Sequence, residues 1–126
     1  MSQSERRHNR SANTTRALYY QLNASLKRAE LDGFVLTDEG GVCLAAAGDS
    51  HACDEIAAHL PLVGRKVKDF EGVLYGPGAQ WEVQMRGFEV EGTQLFLCAI
   101  GDSKGRESQL AHSVNGVSRI LMPAAA

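Results

Sequence analysis

At 126 residues the chain is long enough for one domain and too short for two ordinary ones. Hydrophobic residues make up 44% and charged residues 22%, which excludes a chain disordered throughout. A formal net charge of −2 supplies no general attraction to nucleic acid or acidic lipid, and 6% aromatics is too little for a base-stacking platform.

No apolar run reaches the roughly 20 residues that a membrane helix needs, so no membrane insertion is expected. Met1 to Arg10 is polar and basic, without the apolar centre of a secretion signal. Cys43, Cys53 and Cys98 are odd in number and lack framework spacing. They read as reduced thiols packed as small hydrophobes, and the cytoplasm is the expected compartment.

Residues 1–12 carry Arg6, Arg7 and Arg10 without apolar periodicity and read as a mobile basic tail. From Asn13 the pattern changes. Tyr19, Leu22, Leu26 and Ala29 fall on one stripe, with Leu18 beside them, predicting a helix over 14–30. Asn13 or Thr14 suits its start, and Lys27 and Arg28 suit the negative end of its dipole.

Gly33 to Thr37 and Val42 to Ala47 are apolar runs joined by the turn Asp38-Glu39-Gly40-Gly41, a β-hairpin pattern. The runs are nearly continuous, so both faces of these strands should be covered. Asp49-Ser50 offers a cap for a second helix, with Asp54 and Glu55 placed in its first turn and Ile56, Ala57 and Leu60 on its buried edge. Pro61 should end or kink it, and Arg65 to Asp69 reads as loop.

Gly72 to Tyr75 is a short strand closed by Gly76-Pro77-Gly78, and it is placed at a sheet edge. Trp81, Val83 and Met85 alternate with polar residues, Gly87 marks a bulge, and Phe88 and Val90 resume the alternation. Leu95 to Ile100 is the most hydrophobic run and should be a central strand. Asp102 or Ser103 caps a last helix striped by Leu110, Val114, Val117 and Leu121, and Pro123 stops it. The sum is an α+β domain over 13–122 in the order α-β-β-α-β-β-β-α. Its sheet has five mostly antiparallel strands with helices on both faces, and a frayed end covers 123–126.

Chemistry-bearing patterns are sparse. His51, Cys53 and His59 match no common zinc spacing. Gly101 to Gly105 follows a strand and opens a helix, but lacks the full P-loop pattern, so a turn with a helix cap is the simpler reading. No Gly-x-Ser-x-Gly occurs, and the carboxylate pairs Asp38-Glu39 and Asp54-Glu55 sit where solvated acids are expected. No catalytic residue, metal or cofactor is therefore assigned. Trp81 can serve either as a core residue or as a binding anchor.

Three segments carry a family resemblance. They are Leu31-Asp32-Gly33, the hairpin Phe34 to Ala46, and the strand Leu95 to Ile100 with Gly101-Asp102 before a final helix. With the element order, they resemble the roadblock/dynein light-chain family, of profilin-like or longin-like architecture, over about residues 14–121. Pro61 departs from that family's longer second helix. The resemblance implies a homodimer joined through the second helix and an edge strand. It also implies a non-catalytic scaffold or regulator of a Ras-like small GTPase, in bacteria often in polarity or motility systems. Carried onto this chain, the dimer or partner interface would use Ile56, Leu60, Val73 and Tyr75, with Trp81 beside them. The alternative is a ligand-sensing domain of similar fold, with a small-molecule pocket between sheet and helix.

Overall fold

The computed structural model describes residues 2–76 and 78–122, with side chains from residue 12 onward. The elements are α1 (Ser2–Ala29), β1 (Gly33–Asp38), β2 (Cys43–Gly48), α2 (Ser50–Gly64), β3 (Asp69–Gly76), β4 (Ala79–Val90), β5 (Thr93–Ile100) and α3 (Arg106–Leu121). The five strands form one sheet in the order β2-β1-β5-β4-β3, with every neighbouring pair antiparallel. The expected α+β class and element order hold. Among the described residues no helix is long and apolar enough to cross a membrane.

Period-two alternation divides the core into two layers. Phe34, Leu36, Leu95, Leu97 and Ala99 point to the face covered by α1 and α3, through Leu18, Leu22, Leu110 and Val117. Val35, Phe96, Cys98 and Ile100 point to the face covered by α2, through Ala52, Cys53, Ile56 and Leu60. This is why β1 and β5 read as continuous apolar runs: both of their faces are buried. The edge strand β2 buries Ala45 and Ala47 on one face and half-buries Ala46 against the α2 layer on the other, so the expected two-sided cover is only partial there.

The first helix starts at Ser2, not near residue 14. The expectation of a basic tail falls on side chains outside the described residues, and the frayed end at 123–126 lies outside them too. The buried stripe of α1 is also rotated from the expected one. Leu18, Leu22, Ser25 and Ala29 are buried, while Tyr19 is 43% exposed. Ser25 can be buried because Ser113 Oγ of α3 donates to its hydroxyl at 2.6 Å, so neither oxygen is left unpaired. Glu30, at φ 54°, ends the helix in the left-handed conformation, and the amide of Leu31 reaches back to the carbonyl of Leu26.

Asp38 organises the first hairpin: its carboxylate accepts from the amides of Gly40 and Val42, each at 2.9 Å. Asp49 caps α2 by accepting from Ala52 N at 3.1 Å. Asp54 and Glu55 lie beyond the first turn, because the helix begins at Ser50. Pro61 is inside α2 rather than at its end. Its missing N–H falls in the last turn, and the amide of Arg65 still donates to the Pro61 carbonyl at 3.2 Å.

β3 begins at Asp69, earlier than expected, and β4 runs without the expected bulge. Gly87 pairs with Phe96 in unbroken register. The apolar side chains of β4 change faces because its two halves are covered from opposite sides. Val83 and Met85 pack beneath α2, and Phe88 and Val90 pack beneath α1 and α3. Gly87 serves close approach instead: a Cβ there would lie 3.0 Å from the carbonyl oxygen of Lys68. Finally, α3 is capped by Gly105 without a side-chain bond, so neither Asp102 nor Ser103 takes the expected capping role.

Candidate interaction surface

β3 pairs with β4 alone, so its other edge presents unpaired backbone groups. Phe70 and Leu74 turn inward beneath α2. Val73 and Tyr75 turn to the opposite face, 37% and 68% exposed. The edge position expected for this strand is observed.

Two polar contacts hold this edge to the body. His59 of α2 places Nδ1 2.7 Å from the carbonyl oxygen of Glu55 and Nε2 3.0 Å from that of Tyr75. The second contact ties the helix to the outer strand. On the other side, Arg106 is only 8% exposed and donates to the Gly101 carbonyl at 2.9 Å, to Gln84 Oε1 at 3.2 Å and to the Glu71 carboxylate. A guanidinium carries enough donors to satisfy all three acceptors at once. Asp69 and Arg86 add a more exposed pair at 3.8 Å.

The expected interface residues separate into two groups. Ile56 and Leu60 are fully buried against the sheet, so their side chains belong to the core of the single chain. The outward side of α2 carries Asp54, Ala58 and Leu62, the last 59% exposed. Trp81 is half-buried opposite Leu74, its ring lying over Gly76 and edge-on to His51 at 6.1 Å. It packs against the α2 layer while keeping one edge at the surface.

Sequence reasoning missed Arg106 and His59. The signal for Arg106 was present: it stands four residues before Leu110, on the buried stripe of α3. The bond from His59 to Tyr75 joins residues 16 apart and had no local signal.

His51, Cys53 and His59 do not converge. Cys53 is buried, with Sγ 3.4 Å from the Ala47 carbonyl, while His51 is exposed beside Trp81. Burial raises the Cys53 thiol pKa above its ordinary value. Cys43, expected to be packed, is exposed at the start of β2.

No protein-family model matches the chain, and no curated protein matches its sequence significantly. Its fold is nevertheless similar to solved structures. MglB of Myxococcus xanthus superposes with a TM-score of 0.59 at 14% identity, over 84% of this chain and 88% of that one. The gliding protein MglB of Thermus thermophilus superposes with a TM-score of 0.57 at 13% identity, over 85% of this chain and 90% of that one. At such identity the likeness concerns the fold. In fold, this chain is an α+β domain similar to those two MglB proteins.

Proposed function

We propose that the domain is a homodimeric protein-interaction module that regulates or scaffolds a Ras-like small GTPase in the cytoplasm, without catalytic residues of its own. The observation that carries this reading is the free edge of β3 beside α2, with Val73 and Tyr75 exposed, in a fold like that of two bacterial MglB proteins. An edge strand can extend its ladder into a second copy, and the exposed Tyr75 ring would then be covered. Leu62 and Ala58, rather than Ile56 and Leu60, are the α2 residues available to such a contact. Trp81 contributes its exposed edge.

Two measurements test the proposal. Light scattering on the purified protein should give twice the chain mass, and a single-chain mass would remove the dimer. A pull-down from native lysate, once with a GTP analogue and once with GDP, should enrich a small GTPase in one nucleotide state. Recovery of none in either state would sink the GTPase reading.

A further inference from the structure

Beyond the C-terminal end of α2 the sheet continues while the helix stops, leaving a recess of about 530 Å³. That volume lies within the range of small-molecule sites. Phe96 forms part of its floor. The ring fits there because Gly64 has no side chain: a Cβ at that position would overlap it. Gly87, opposite Phe96 in the ladder, likewise leaves the ring room, since a Cβ there would stand 3.2 Å from Cε1.

Four charged residues line the recess, and they come from different elements. Arg65 and Lys68 belong to the connection between α2 and β3. Glu39 belongs to the β1–β2 turn, and Glu89 to β4 near its turn into β5. Two of these mountings are fixed by backbone bonds, Arg65 N to the Pro61 carbonyl and Gly87 N to the Lys68 carbonyl. The two cations and two carboxylates share one recess, yet none of them pairs. Among the described residues the ion pairs are Arg86–Asp69 and Arg106–Glu71. A ligand of one sign would meet two like charges here, whereas a ligand carrying both signs matches all four.

We infer that this recess binds a zwitterionic small molecule of the amino-acid class. Its carboxylate meets Arg65 and Lys68, its ammonium meets Glu39 and Glu89, and its apolar part lies against Pro61 and the small accessible edge of Phe96. The inference stands apart from the GTPase reading, because its test uses the purified protein alone.

The test is calorimetric titration of the full chain with each of the standard free amino acids at millimolar concentration. Any binder is then titrated again as its N-acetyl derivative and as its amide. Saturable binding of at least one free amino acid is expected, weakened roughly tenfold by either modification. The Arg65→Gln/Lys68→Gln variant should weaken the free amino acid without weakening the amide. The Glu39→Gln/Glu89→Gln variant should likewise weaken the free amino acid without weakening the N-acetyl form. All four residues are exposed, so far-UV circular dichroism should confirm native folds. No saturable binding by any free amino acid would overturn the inference, as would binding indifferent to both modifications or to both variants.

Discussion

The guanidinium of Arg106 donates to the carboxylate of Glu71 and so ties the first residue of α3 to the outer strand of the sheet. The bond is nearly closed to solvent on the arginine side and open on the glutamate side. Removing the two partners therefore has unequal consequences. A buried donor or acceptor left unmatched loses its full solvation, while an exposed carboxylate is rescued by water.

Arg106→Leu should destabilise the fold by about 3 kcal/mol, because the Gly101 carbonyl and Gln84 lose their donor. Glu71→Gln keeps a side-chain acceptor and should lose only about 1 kcal/mol. Urea unfolding of the two variants checks the order. Equal losses would mean that the ion pair, not the buried network, dominates.

Tyr75 and Ile56 should respond differently to the same substitution. Tyr75→Glu places a charge on a 68%-exposed position and should leave the single chain folded, within about 0.5 kcal/mol, while halving the mass of a dimer. Ile56→Glu places a carboxylate in the α2 layer at 0% exposure and should abolish the fold. Light scattering and circular dichroism on both variants separate the outcomes. A folded Ile56→Glu protein would contradict the packing of α2.

Gly64→Ala should destabilise by about 2 kcal/mol, because the added methyl overlaps the Phe96 ring. The companion Gly92→Ala meets no neighbouring atom but stands at φ 79°, so its loss reports backbone strain alone, about 1 kcal/mol. Thermal melts of both against the parent protein check the two mechanisms. A harmless Gly64→Ala would mean that α2 can lift from Phe96 without loss.

The three thiols should divide by burial. Native protein should react quickly with a thiol-specific disulfide reagent at Cys43 only, and unfolded protein at Cys43, Cys53 and Cys98. Rapid native reaction of all three would refute the burial of Cys53 and Cys98.

Cys98 also gives stability a pH dependence. Burial raises its pKa well above the ordinary thiol value. The unfolded chain releases this proton above about pH 8.5, while the folded chain retains it. Its contribution is therefore fully present below that pH and declines as pH rises beyond it. Denaturant unfolding at neutral and alkaline pH should show a loss of stability that Cys98→Ala reduces. An unchanged slope in that variant would assign the loss elsewhere.

Element order was legible in the residues because it depends on local signals. Apolar periodicity, the Asp38 turn and the Asp49 cap act within a few residues, and the turn and the cap appear where their patterns predict. The edge position of β3 was expected and is observed, but the brevity that suggested it is not, since the strand runs 8 residues from Asp69. The tertiary structure decided what depends on cover from distant elements. It rotated the buried stripe of α1 towards Ser25, because Ser113 of α3 supplies a partner. It placed Ile56 and Leu60 in the core, since a helix pattern marks an apolar face without saying whether sheet or partner covers it. It drew Arg106 inward, and it gathered Arg65, Lys68, Glu39 and Glu89 around one recess from segments far apart in the chain. Local backbone preference is written within a few residues. Burial and charge juxtaposition are settled only when the layers close.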